Sequence, residues 1–296
     1  GLFTLLLLYV SLFLLVVPER PDKPFFQKKK PLVIAHRGGA SLAPENTLVA
    51  FEKARKLGVD AIELDVQMTR DGHLVVIHDD TVERTTDGEG EVNQLTLAQL
   101  KELDAAYRFQ DIRGRYIYRG QGIQIPTLEE VFQQFGDMRL IIDIKEADYS
   151  HIDGELEKKL WELIERYEMQ DKVLVYSFSD ESISKFNQYA QGQVALGASR
   201  QEVTRFVFYH KLFLNRLYRP QTDAFLVQPQ VAIFNLKDKR LIDGAERLNM
   251  DVYYWTIDDE QEMRALLERG AHGIITSRPD LLLRVIHEME VTNGKN

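Results

Sequence analysis

The chain has no cysteine among its 296 residues. Disulfides, thiolate metal sites and cysteine nucleophiles are therefore excluded. An excess of positive charge is also missing, since 37 Lys and Arg stand against 46 Asp and Glu, with a net charge of −9. An acidic surface repels phosphate backbones, so nucleic acid is not expected as a general partner. A phosphate-bearing substrate then needs a local positive centre from Arg, Lys or a metal. Charge of either sign is absent from the first 17 residues, "GLFTLLLLYVSLFLLVV".

That run sits at the lower edge of the length needed to span a bilayer. The following "VVPERP" offers no small-x-small cleavage site. A buried helix is rarely apolar on every face and then followed by a charged linker. The expectation is a single N-terminal membrane anchor over 1–17 and a Pro- and Lys-rich linker over 18–30. The Lys28–Lys30 run favours the cytoplasmic face for the domain that follows.

From residue 31 to about 290, short apolar runs alternate with amphipathic helical patterns. The runs are 32–35, 61–66, 74–78, 140–144, 173–177, 194–198, 224–228, 252–257 and 273–276. Helical patterns lie between most of them, as in Thr47–Leu57, Leu128–Phe135, Glu155–Tyr167 and Glu260–Arg269. Such alternation, with continuous apolar strands, marks a parallel sheet covered by helices. At this length it predicts a TIM (β/α)8 barrel. Nine runs are one too many. The stretch "MTRDGHLVV" has no room for a crossover helix, and Asp71-Gly72 reads as a two-residue hairpin turn. Run 74–78 thus folds back on 61–66, leaving eight strands. Residues 80–124, with a helix in "TLAQLKELDAA", read as an inserted subdomain over the barrel mouth. Thr127 and Glu130 form a capping-box pattern after Pro126, and Asn46 or Thr47 reads as a helix N-cap.

The two-residue turn pairs Arg70 with His73 and sets Asp65 directly opposite His78. Glu63 shares the face of Asp65. The bland alternative is a solvated edge with a cross-strand Asp–His pair. Other strand ends weigh against it. His36 and Arg37 close the first strand in "IAHRGG", and "LIIDIK" places Asp143 and Lys145 two residues apart. Polar groups inside such runs are costly unless paired or functional. Three carboxylates, Glu63, Asp65 and Asp143, suit one hard divalent cation, Mg2+ or Ca2+, with waters completing its shell.

The segments "HRGGASLAPENTLVAF", "AIELDVQMTRDGHLVVIHDD", "ERTTDG", "IPTLEEVF", "LIIDIK" and "YYWTI…GAHGIITSRPDLL" resemble the glycerophosphodiester phosphodiesterases, in the expected order across residues 31–286. The resemblance implies a TIM barrel with an insert after the second catalytic histidine. It implies that His36 and His78 are the acid/base pair, that Glu63 and Asp65 bind the metal, and that Asp143 completes the set. Most members have Glu at the last position. A branch with an N-terminal membrane helix, acting as lysophospholipase D, tends to carry Asp there. The implied reaction is metal-dependent hydrolysis of a glycerophosphodiester to an alcohol and glycerol 3-phosphate. By their chemistry, Arg37 as a bidentate donor and Lys145 as a point charge are the positive centres expected on the phosphate. Trp255 either stacks on the substrate glycerol or packs in the core, and Glu45 orients Arg37 or the first helix. The alternatives are a lysophospholipase D releasing lysophosphatidic acid, a phosphoinositide- or sphingomyelin-cleaving relative, and a lipid-binding scaffold with a decayed site. The basic, aromatic segment 203–219 reads either as a core-facing barrel helix or as a lipid-facing rim.

Overall fold

The computed structural model describes residues 19–27, 31–145, 155–212, 214, 217–231 and 234–293. The apolar run 1–17, Lys28–Lys30 and residues 213, 215 and 216 of the segment 203–219 lie outside the described residues. No helix among the described residues is long and apolar enough to cross a membrane.

Eight parallel strands form the barrel. They are β1 (Leu32–Ala35), β2 (Ala61–Met68), β4 (Arg139–Ile144), β5 (Val173–Tyr176), β6 (Ala195–Leu196), β7 (Ala224–Val227), β10 (Asp251–Tyr254) and β11 (Gly273–Thr276). Their order is β6-β5-β4-β2-β1-β11-β10-β7, while β8 (Gln230–Val231) and β9 (Phe234–Asn235) pair as a separate two-stranded sheet. The ring closes where Gly197 bridges Ala224 and the Ala198 amide donates to Ala224 O at 2.8 Å. Each of these strands is buried along nearly its whole length, as continuous apolar runs require when helices cover the outside. A helix follows each barrel strand, from Leu48–Leu57 after β1 to Pro279–Asn293 after β11. Thr47 caps the first, accepting from the Ala50 amide, and Thr127 with Glu130 builds a reciprocal capping box on Leu128–Phe135.

The hairpin is present but its register differs from the expectation. β3 (Leu74–Val76) pairs antiparallel with β2 as Val66↔Val76, Gln67↔Val75 and Met68↔Leu74. The Thr69 amide donates to His73 O, so the loop has three residues, Arg70 to Gly72. Gly72 takes φ +80° while Asp71 stays at negative φ. A two-residue type I′ turn needs positive φ at both central positions, whereas a three-residue loop needs it only at the last. Asp65 therefore lies opposite Ile77, whose amide donates to Asp65 O at 3.1 Å, and His78 stands beyond the ladder.

Residues 80–124 gather a small second core of Val75, Ile77, Val82, Val92, Leu100, Ala105 and Ile125. The helix expected through "TLAQLKELDAA" ends early, at Leu97–Lys101. Asp104 turns its carboxylate to the amides of Ala106 and Gly120, each within 2.9 Å, and so draws the backbone into a turn. In segment 203–219 the helix spans Arg200–Lys211. Phe206 and Tyr218 are buried, with Phe206 stacked 4.4 Å from Phe225, so the core-facing reading holds for them. Phe208 and Leu212 are exposed.

Residues 19–27 cross the base of the barrel, at the N-terminal ends of the strands. Arg20 and Lys23 both pair with buried Asp223, just before β7, at 2.7 and 2.8 Å. Lys23 also donates to Val194 O before β6, and Arg139 at the start of β4 donates to Phe25 O. Phe25 is fully buried. This segment behaves as part of the barrel rather than as a free linker.

Candidate active site

The acidic cluster forms because β2 and β4 are neighbours in register, with Asp65 beside Asp143. Odd-numbered residues of β2 face inward, so Glu63 joins Asp65 on that side. One oxygen from each of Glu63, Asp65 and Asp143 lies within 4.8 Å of the others. All three are at most 2% exposed.

Two cations and several dipoles surround them. Lys145 Nζ lies 2.8 Å from Asp65 Oδ1 and 2.5 Å from Asp143 Oδ2. Arg37 lies just after β1 in a sharp "HRGG" turn, with Arg37, Gly38 and Gly39 all at positive φ. A Cβ at Gly38 would meet Phe51 at 2.6 Å, so only glycine lets the turn approach the first helix this closely. The turn aims the Arg37 amide at Glu63 Oε2, 2.9 Å away, and sets its Nε 3.3 Å from Asp65 Oδ2. Arg37 Nη1 donates to Glu45 at 2.8 Å, so Glu45 orients Arg37. Asn46 donates to Asp65 Oδ2 at 2.8 Å, and the Tyr176 hydroxyl donates to Glu63 Oε1 at 3.2 Å.

Burial first, and then the neighbouring Asp65, push the Glu63 carboxyl well above its ordinary range. Burial likewise raises Asp143, although Lys145 opposes it. Asp65 goes the other way, because Lys145 and Arg37 outweigh the effect of its burial. Asp143 Oδ1 is a buried acceptor with no hydrogen-bond partner. An orphaned carboxylate oxygen beside two others, in a site short of positive charge, fits a hard divalent cation. These three carboxylates can hold one.

The two histidines sit in unlike settings. His36 follows β1, with Nδ1 3.2 Å from the Ser277 hydroxyl. Burial, reinforced by the Arg37 charge, lowers its pKa to about 4. His78 follows β3, and its Nδ1 lies 2.6 Å from Asp79 Oδ1. Arg84 from the insert donates to both Asp79 oxygens and to both Glu45 oxygens. Burial works to raise Asp79, but hydrogen bonds from Arg84 and His78 prevail and hold it at about 2. An ionic chain thus runs from His78 through Asp79, Arg84 and Glu45 to Arg37. His78 lies where the chain leaves the strand, near enough to Asp65 to interact with it electrostatically. Trp255 packs 5.7 Å from Phe178, which contacts Tyr176, and its Nε1 is buried without a partner.

Asn46, Gln67, Asp79 and Tyr176 escaped the reading of the sequence as site residues. Only Asp79 left a signal, as the carboxylate adjoining His78. The others act through tertiary contacts, Gln67 within the hairpin and Asn46 and Tyr176 onto β2.

A family model described as the glycerophosphoryl diester phosphodiesterase family matches residues 36–281. A glycerophosphodiester phosphodiesterase of Caldanaerobacter subterraneus is 36% identical over 264 residues, covering 88% of this chain and 99% of the relative. A human lysophospholipase D is 27% identical, covering 95% of this chain and 94% of the relative. Among solved structures, a phosphodiesterase of Oleispira antarctica in complex with the product sn-glycerol-3-phosphate is 28% identical with a TM-score of 0.68, covering 87% of this chain and 97% of that one. The barrel, its buried carboxylates and these matches across most of the sequence place the chain in the glycerophosphodiester phosphodiesterase family of hydrolases.

Proposed function

We propose that the protein cleaves glycerophosphodiesters to an alcohol and glycerol 3-phosphate, with His36 as general base and His78 as general acid. The observation that carries this reading is the contrast between the two imidazoles beside one acidic cluster. His36, with its lowered pKa, is neutral near pH 7 and can accept a proton at Nε2 while Nδ1 meets Ser277. It serves water, or the glycerol 2-hydroxyl if a cyclic phosphate forms. His78 carries the Asp79 carboxylate on Nδ1, which fixes the ring and leaves Nε2 to face the leaving oxygen. Arg37 and Lys145 face the non-bridging oxygens, Arg37 by a planar fork and Lys145 as a point charge. Glu63, Asp65 and Asp143 would hold the divalent cation, which supplies charge stabilisation to the phosphoryl oxygens. The short Asp143 side chain favours Mg2+, which keeps several waters, over Ca2+ with a fuller protein cage. Trp255 and Phe178 would border the glycerol.

Glycerophosphocholine should yield glycerol 3-phosphate with Mg2+, and EDTA should suppress this to background. Turnover indifferent to EDTA would overturn the metal-dependent reading.

A second reading, release of lysophosphatidic acid from lysophospholipids, draws on the similarity to a lysophospholipase D. It also draws on exposed Phe208 and Leu212 and on the apolar run 1–17 read as a membrane anchor with a cytoplasmic domain. Truncation should stop at residue 18, because residues 19–27 supply both cations to buried Asp223. Loss of residues 1–18 is expected to lower activity on lysophospholipid in detergent-free vesicles and to spare soluble glycerophosphocholine. Equal vesicle activity with and without the segment would count against this reading.

A further inference from the structure

His78 lies past the end of the β2–β3 ladder, where strand pairing no longer fixes the backbone. The last ladder bond runs from the Ile77 amide to Asp65 O. The carbonyls of residues 77 to 79 then need donors from elsewhere. One side chain meets all three. Gln67 Nε2 lies 2.6 Å from Asp79 O, 3.0 Å from His78 O and 3.5 Å from Ile77 O. Gln67 is fully buried, two residues beyond Asp65 on the same face of β2. Its Oε1 has no partner. The reversed amide would set that oxygen against three carbonyl oxygens, so the donor orientation is fixed by chemistry.

We propose that Gln67 is a positioning residue for His78: its buried amide gathers the carbonyls of the bend that carries the His78–Asp79 pair. The inference rests on the reading of His78 as a catalytic group. Other holds on this pair act on side chains, namely Asp79 on the imidazole and Arg84 on Asp79. Gln67 holds the main chain, and so sets where the imidazole begins. The same strand thereby presents metal-ligand candidates at 63 and 65 and the brace for the proton-transfer loop at 67.

Gln67→Met keeps the length and removes the donor, while Gln67→Glu keeps the shape and sets a carboxylate against the carbonyls. With glycerophosphocholine as substrate, Gln67→Met is expected to lower kcat about 10- to 100-fold, the usual cost of losing an outer-shell partner. KM and the Mg2+ affinity from calorimetry should stay within about twofold, because Glu63, Asp65 and Asp143 keep their contacts. Gln67→Glu should be slower still. The double variant Gln67→Met with His78→Ala should be no slower than His78→Ala alone, since groups acting as a unit are not additive. Additive losses, or weakened Mg2+ binding in step with kcat, would overturn the inference. So would wild-type kcat in both single variants. If one single variant fails to fold, the other gives the same readouts. Full activity in His78→Ala would instead sink the underlying reading, which keeps the two failures distinct.

Discussion

His78→Ala is expected to slow glycerophosphocholine cleavage by about 10²- to 10⁴-fold, the usual range for a lost general acid or base. It should largely spare the p-nitrophenyl ester of glycerol phosphate. Choline departs as an alkoxide and needs a proton, whereas p-nitrophenolate leaves without one. His36→Ala should slow both esters, because nucleophile activation is needed for either. The assignment follows from surroundings rather than from position in the chain. Burial holds the His36 pKa near 4, so the base form dominates throughout neutral pH and is lost only as pH falls through about 4. His78 has a carboxylate at 2.6 Å on Nδ1. Steady-state kinetics on both esters would decide it. If His78→Ala slowed the two equally while His36→Ala spared the aryl ester, the roles would be reversed.

Metal removal should reveal the second large effect, in stability rather than rate. Glu63 and Asp143 have folded-state pKa values raised by burial. A group raised on folding contributes its full stability below its unfolded pKa and loses it as pH rises toward the folded value. These two carboxyls should therefore make the EDTA-treated protein less stable from about pH 4 up through neutrality, against a smaller opposite contribution from His36, whose lowered pKa adds stability as pH rises from about 4 toward its ordinary value. Mg2+ should reverse that trend, adding about 2.7 kcal/mol at a concentration 100-fold above its Kd. Glu63→Gln should abolish turnover and most of the Mg2+ response. The same substitution should raise the Tm of the EDTA-treated protein at pH 8, because it removes a buried charge without changing shape. Thermal melts at pH 5 and pH 8, with and without Mg2+, would test this. A Glu63→Gln protein that melts lower than wild type in EDTA at pH 8 would contradict it.

Both effects depend on residues that were legible in different degrees. The strand runs could be read because each is apolar along its length, and the hairpin because no helix fits between Met68 and Leu74. The caps at Thr47 and Thr127 were local and therefore visible. The register of the hairpin was not. Asp-Gly suits a two-residue turn or the end of a three-residue one, and only the backbone at Asp71 separates them. That single residue moves Asp65 from His78 to Ile77.

The sequence by itself determined the alternation that makes a barrel and the identity of the carboxylates and histidines at its strand ends. It did so because burial on both faces writes continuous apolar runs, in which each polar residue stands out. The tertiary structure alone decided the partners. Asn46 meets Asp65, Tyr176 meets Glu63, and Arg20 and Lys23 meet Asp223 about two hundred residues away. Such pairs depend on which strands become neighbours and at what register, and no local pattern records that. The bend that carries His78 shows the division most clearly. Its histidine is plain in the chain, and the buried amide of Gln67 that gathers its backbone appears only once β2 and β3 are laid side by side.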